Sequence, residues 1–370
     1  MSTRKKARRP VPPPKSRSRP DEPVVVRVGR SADLVAALPP MLGFHPEESV
    51  VVIGIHERDG RGRLGGMVRI DLAESPDAET DGVLAEAARE RLERSAPAKV
   101  VVVVVSGVAG TAAAPPHLEL VDAITATFEA IDIPVMEAVW AERIAIGAPW
   151  RCYHPCACSG TLPDPGGTVA AAAHAAVTGR VTRGSREEVE ASLAPDPEAG
   201  GERRRRLIDD WHQVAVDEWL DDRRASSRRN LEFVRGVVGD VGAGTPLSES
   251  DIARLAVALC DPAVRDTCLG WAAGHDDRVD PVHAERLWTL LTRAVPAPEV
   301  AQPATLLAFA TVDQGGGAVL TTALQRACDA DPHHQLSRML GTLITAGFPP
   351  ETVRELVSAA YTETTAKLAA

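Results

Sequence analysis

Six consecutive valines, Val100 to Val105, constrain this chain more than any other stretch. Branched side chains lose rotamer freedom in a helix and pack well on a pleated surface, and a run of six is too short for a buried helix. A strand with no polar alternation has no face to give to water, so it belongs inside a sheet covered on both sides. Neighbouring segments supply the cover. Residues 77 to 94 place Val83, Leu84, Ala87, Ala88 and Leu92 at helical spacing, with acids early and arginines late, as the helix macrodipole favours. Residues 116 to 130 predict a second helix, and Pro134 to Trp140 a further strand.

Upstream, Pro23 to Val28 reads as a first strand, and Ser31 caps a short helix that Pro39 and Pro40 are expected to stop at Leu38. Ser49 to Ile55 predicts a buried strand. The polar turn from His56 to Gly62 leads into an alternating strand, Leu64 to Leu72, which makes a hairpin. Strands and helices in this order imply a three-layer α/β domain whose mixed sheet carries an antiparallel hairpin.

After Trp150 the pattern changes. The stretch Cys152 to Gly167, rich in cysteine, proline and glycine, is expected to be a loop, and the long segments that follow have helical periodicity. Leu207, Trp211, Ala215 and Trp219 mark one face of a long helix over 202 to 238. Further helices are expected near 248–260, 281–294, 303–312, 318–329, 335–346 and 350–361, with His333-His334 after Asp331-Pro332 opening the one at 335–346. Leu320, Leu324, Ala327 and Pro332 fit one tetratricopeptide-like unit, which does not recur at the neighbouring positions. The chain thus divides into a basic Pro/Arg-rich tail (1–22), an α/β domain (23–151), a junction with short helices (152–200) and an all-α helical-hairpin domain (201–370).

Charge is divided as well. Residues 1 to 19 carry eight Lys/Arg and no acid, leaving 33 basic against 51 acidic residues in the remainder. An acidic body repels phosphate backbones, so nucleic acid is not an expected partner except through the tail, which is too polar to order by itself. No stretch approaches the roughly 18 apolar residues of a membrane span. The tail runs into Pro12 to Pro14 rather than into the apolar segment of a secretion signal. A cytoplasmic protein is expected, with its six cysteines as thiols or metal ligands.

Three constellations carry chemistry-bearing residues. His45-Pro46-Glu47-Glu48-Ser49 puts an imidazole, carboxylates and a hydroxyl beside a strand end, and Arg69 and Asp71, two apart on a strand, share a face. His45, Ser49, Arg69 and Asp71 are therefore candidate catalytic residues. Ser106, Gly107, Gly110 and Thr111 follow the valine strand, where open α/β sheets bind ligands, and are candidates for holding an anion on backbone N–H groups. Cys152, His154, Cys156 and Cys158 alternate as zinc ligands would, although four ligands within seven residues strain a tetrahedron. The pairing of His45-x-Glu47 with Pro155-Cys156-x-Cys158 has the residue types of a zinc deaminase but not the spacing. Gly60-x-Gly62-x-x-Gly65 matches the dinucleotide fingerprint letter for letter, yet a strand follows where a helix is required, so no nucleotide cofactor is indicated.

Leu34-x-x-x-Leu38-Pro39-x-x-Leu42-Gly43-Phe44-His45-Pro46-Glu47-x-Ser49-x-Val51, with Arg69-x-Asp71-Leu72 after the hairpin, resembles the actinobacterial family catalogued as domain of unknown function 4192. Trp150-x-x-Tyr153, Ser185-Arg186-Glu187 and Gly347-x-Pro349-Pro350 are similar to later landmarks of that family, whereas Cys156-Ala157-Cys158 departs from its adjacent cysteine pair. The resemblance implies a fold over nearly everything after residue 22 and brings no catalytic role with it. Two functions stay open on sequence: an interaction or regulatory protein that meets a protein partner through its helical half, or a small-molecule enzyme, hydrolytic in type, at the edge of the sheet.

Overall fold

The computed structural model of the chain describes residues 31–58, 61–108, 110, 114–156, 158–169, 171–172, 182–199, 201–312 and 317–370. The basic tail, the strand expected at Pro23 to Val28, Gly60 and Thr111 lie outside them. Helix α1 (Ser31–Leu42) starts where expected but does not stop at Leu38; it runs through Pro39 and Pro40. An interior proline costs a helix about 3 kcal/mol through its missing N–H and its clash with the preceding turn. Here both rings are buried in the core beneath the sheet, and that burial outweighs the penalty. Gly43, at φ +84°, ends the helix by donating its N–H to Pro39 O at 2.8 Å.

Strands β1 (Ser49–Arg58) and β2 (Arg61–Asp71) form the expected hairpin, pairing from Ser49↔Asp71 to Arg58↔Arg61 with an irregularity at Gly54. Gly65 and Gly62 of the fingerprint lie within β2. A Cβ on Gly65 would sit 2.4 Å from the His56 ring, so this glycine serves strand packing rather than phosphate binding. Helix α2 (Ala78–Glu93) is capped by Asp77, whose carboxylate accepts from Thr80 N at 2.8 Å. Strand β3 (Lys99–Val105), helix α3 (Leu118–Glu129) and strand β4 (Val135–Ala141) follow. β3 pairs antiparallel with β1 and parallel with β4.

The valine run is covered on both faces. Val101, Val103 and Val105 pack with Leu34, Leu38 and Phe44 beneath the sheet, while Val100, Val102 and Val104 meet Ala85, Ala88 and Leu92 of α2 and Leu120, Ile124 and Phe128 of α3.

The loop expected over Cys152 to Gly167 is in part sheet. Strands β5 (Pro149–Cys152) and β6 (Ser159–Thr161) extend the order to β2-β1-β3-β4-β5-β6. These strands are too short to display a period of two. What forms them is the free edge of β4, paired as Ala141↔Trp150, together with hydrogen bonds such as Cys152 N to Cys158 O at 2.8 Å.

The second half is helical: α4 (Arg186–Ser192), α5 (Glu202–Gly242), α6 (Glu249–Ala258), α7 (Pro262–Ala272), α8 (Pro281–Ala294), α9 (Ala301–Val312), α10 (Gly317–Ala330), α11 (Gln335–Thr345) and α12 (Pro350–Ala369). Sequence periodicity misses α7, which starts at an Asp261 cap followed by Pro262, a local signal repeated at Asp280-Pro281 of α8. Helix α5 is not the single rod expected. Asp222 is extended (φ −151°, ψ 96°), and its carboxylate accepts from Ala225 N at 3.0 Å, so it caps a second helical piece. Trp271 and Trp288 stack at 6.1 Å between ring centroids in the middle of this half. His334 caps α11, as the expected helix opening after His333-His334 requires.

Two left-handed glycines press the halves together. A Cβ on Gly317 (φ +48°) would lie 2.7 Å from Leu42 O of α1, and one on Gly347 (φ +70°) 2.6 Å from Arg91 O of α2. Between them α4 places Val189 in the core beneath the sheet and Leu193, four residues on, in the core of the helical half. No helix among the described residues is long and apolar enough to cross a membrane.

Candidate functional sites

Ser106, fully buried at the carboxyl end of β3, is the centre of a polar network whose other members, Glu48, Gly107 and Val108, reach the surface. Its Oγ donates to Glu48 Oε2 at 2.9 Å, and Gly107 N donates to Glu48 Oε1 at 2.6 Å. Val108 N donates to Ser106 Oγ, and His117 Nε2 lies 3.2 Å from it. Glu48 and His117 are held at φ +35° and +58°, a left-handed conformation that costs a non-glycine residue about 1–2 kcal/mol. Serine, histidine and a carboxylate are the residue types of a hydrolytic triad, but the geometry is not. A hydroxyl has one proton and two acceptor sites. Here the proton goes to Glu48, one acceptor site to Val108 N, and the other to His117, which must therefore donate. The imidazole cannot take the serine proton in this arrangement, and no solvent reaches the oxygen.

Of the four residues expected to hold an anion, Ser106 and Gly107 meet a carboxylate of the chain itself, that of Glu48. Sequence reading left Glu48 and His117 unassigned here, because non-glycine residues at positive φ leave no mark in a sequence.

The second constellation comes together only in part. Ser49, Arg69 and Asp71 share the lower face of the hairpin, through Ser49↔Asp71 and Val51↔Arg69. Arg69 Nη2 donates to Asp71 Oδ1 at 2.5 Å, and the guanidinium lies over the Phe44 ring at 5.5 Å. Its Nε and Nη1 are buried without hydrogen-bond partners, as is Ser49 Oγ. His45 turns elsewhere: its Nδ1 lies 3.1 Å from Ile144 O, and its backbone N–H donates to Arg183 O. Ser49 Oγ makes no hydrogen bond to Asp71 across the pair or to any other base, and the nucleophile–base contact that nucleophilic catalysis uses is not formed among the described residues.

In the β5–β6 hairpin, Cys156 and Cys158 are exposed and Cys152 is buried. Burial pushes the Cys152 thiol up to about 11, whereas hydrogen bonds from Cys158 and Cys152 hold Cys156 below the usual thiol range. His154 N donates to Cys152 Sγ at 3.3 Å, a backbone contact that does not use the imidazole. Among the described residues, no three His, Cys, Asp or Glu side chains form a group able to hold a metal ion.

A different kind of surface stands on α5. Leu207, Trp211 and Ala215 pack on the helical core as their spacing predicts, and Arg254 stacks on the rings of Trp211 and Phe233 at 5.2 and 3.8 Å. Trp219 leaves that core, 49% exposed, and Val216 and Leu220 are exposed at 51% and 70%. These three lie at i, i+3 and i+4 on one side of the helix, where neighbours touch. None of residues 209 to 225 is fully buried. Asp210, Asp217 and Asp221 repeat along the flank beside them, and the Arg223 guanidinium lies over the Trp219 ring, 5.5 Å from its centroid.

A mixed sheet carrying a polar network about the end of its central strand, joined to a helical half with an exposed aromatic face, defines a two-part α/β and α protein. The chain belongs to the family described as a domain of unknown function (DUF4192), whose model matches residues 32–351. Neither a curated protein nor a solved structure matches the chain.

Proposed function

We propose that this is a cytoplasmic interaction protein that binds a protein partner through the Val216, Trp219 and Leu220 face of α5. The carrying observation is the exposure of three large apolar side chains at helical contact spacing on a segment without a fully buried residue. Exposed aromatic side chains of this kind anchor interfaces, and a tryptophan at the centre of one is commonly worth 2 kcal/mol or more. The acidic stripe of Asp210, Asp217 and Asp221 selects a partner segment that is both apolar and basic. All six cysteines are free thiols, in keeping with a reducing compartment. The α/β half then serves as a rigid support, since its best-formed polar network is consumed internally.

The test uses the full chain and a fluorescent amphipathic helical peptide with leucines on one face and lysines on the other. Saturable binding is expected, weakened about 30-fold by Trp219→Ala, which is 2 kcal/mol expressed as affinity. Leu220→Asp should abolish it. Equal binding by these variants, or equal binding of a peptide with glutamates in place of the lysines, would overturn the assignment.

A further inference from the structure

A cavity of about 680 Å³ opens between α4, the segment from Val295 to Val300 and α10. Its size falls in the range of small-molecule sites, and it is separate from the α5 face and from the network at Ser106. One wall is apolar, formed by Leu193, Val295 and Val300. The opposite wall is α10, which presents Thr322 and Arg326, four residues apart and so on one side of the helix.

Thr322 lacks a hydrogen-bond partner, and Arg326 lacks a counter-charge. Thr322 Oγ1 is buried without a hydrogen bond. Arg326 donates its Nε to Thr292 O at 2.7 Å, and among the described residues it has no carboxylate partner. Asp196, whose charge acts on it, is already held by Arg293 at 2.7 Å. Burial pulls the Arg326 guanidinium below its ordinary value, as expected for a desolvated cation short of counter-charge. The other acids in the lining are engaged: Glu190 by Arg186 at 3.0 Å and Asp329 by Gln325 at 2.7 Å. An orphan hydroxyl beside an uncompensated guanidinium is the donor set for an oxyanion, and the facing wall suits hydrocarbon.

We propose that this cavity is a binding site for a small organic anion, its carboxylate or phosphate group held by Arg326 and Thr322 and its apolar body lying on Leu193, Val295 and Val300. The ligand supplies the missing negative charge and uses the orphan hydroxyl. This site does not depend on the α5 face, and either can fail without the other.

Calorimetric titration of the full chain with hexanoate and with hexyl phosphate tests it, hexanol being the uncharged reference. One of the two anions is expected to bind at a single site, at least about tenfold more tightly than hexanol, and which one binds distinguishes carboxylate from phosphate. Arg326→Gln should weaken it about tenfold or more. Because Arg326 also ties α10 to Thr292, that variant can fail to fold, and Thr322→Val then decides. It removes a buried hydroxyl with no partner, so the thermal midpoint should hold or rise while anion affinity falls several-fold. No binding of either anion at millimolar concentration, equal binding of hexanol, or affinity unchanged in Thr322→Val would overturn the proposal.

Discussion

The carboxylate of Glu48 rests on the backbone N–H of Gly107, 2.6 Å from its nitrogen, at the end of the central strand. Open α/β sheets commonly receive a ligand's anion at this place; here the chain supplies its own. The contact crosses from the residue before β1 to the second residue after β3 and fixes the end of the valine core.

Glu48→Ala should therefore lower stability by about 1.5–3 kcal/mol, the range for hydrogen bonds to a charged group. The emptied position keeps its donors, so sulfate should restore part of the loss. Urea unfolding in sulfate and in chloride checks this, with the sulfate gain expected to be larger in the variant than in the parent. An equal gain would mean that no anion position had been uncovered.

Asp276 and Arg235 form an ion pair with side chains only 6% and 9% exposed. Removing Asp276 takes two hydrogen bonds from the buried Arg235 guanidinium and leaves it Glu232 as its remaining acid, so Asp276→Ala should cost about 1.5–3 kcal/mol. Burial raises the Asp276 carboxyl, but the Arg278 N–H and the Arg235 guanidinium outweigh it and leave the group below its ordinary 3.8. A depressed carboxyl contributes its stability above the ordinary value and loses it as pH falls through the folded one. The difference between parent and Asp276→Asn in denaturant unfolding should accordingly shrink only below about pH 4.

His334 should make the helical half sensitive to mild acid. Burial, aided by the charge of Arg265, holds its imidazole below the ordinary 6.5, and its Nε2 lies 3.0 Å from Gln302 Oε1. A depressed histidine is stable as the neutral form, so stability is complete above 6.5 and declines as pH drops from there. Asn in its place retains a cap for α11 and removes the titration. Thermal midpoints measured from pH 7.5 to pH 5 should fall more steeply in the parent than in His334→Asn.

Gly347→Ala should loosen the contact between the halves. The new Cβ would adopt φ +70° and meet Arg91 O at 2.6 Å, costing about 1–3 kcal/mol. Hydrogen exchange should accelerate in the last turn of α2. Gly82, in the same helix with open space around it, predicts the opposite sign, with Ala stabilising by about 0.5–1 kcal/mol.

Cys156 should be alkylated first. It is exposed and held below the usual thiol range, whereas Cys152 is buried and Cys260 is pushed up to about 12 by burial. Mass spectrometry of iodoacetamide-treated folded protein reads the order directly.

Much of the architecture was legible because it rests on local periodicity. The six valines announce a strand buried on both faces, and the apolar spacing in α2, α8 and α10 announces their helices. What escaped depends on tertiary context. Pro39 and Pro40 contradict a helix until the core that receives them is present, and β5 and β6 exist because β4 offers an edge. Among candidate site residues, the shared face of Arg69 and Asp71 follows from their parity along one strand, and the hairpin register adds Ser49 to it. His45 left that group because its ring found the carbonyl of Ile144, a residue 99 positions away. Continuing the Leu207, Trp211, Ala215 series puts Trp219 on the same face; each step of four overshoots the helical repeat, and the stripe rotates out of the core.

Val189 and Leu193, one helical turn apart on α4, feed two different cores. The segment that reads as a junction consequently acts as a rivet. A chain cut near residue 200 would expose a hydrophobic seam on each fragment instead of releasing two self-sufficient pieces, and full-length protein should lose both cores in one cooperative transition.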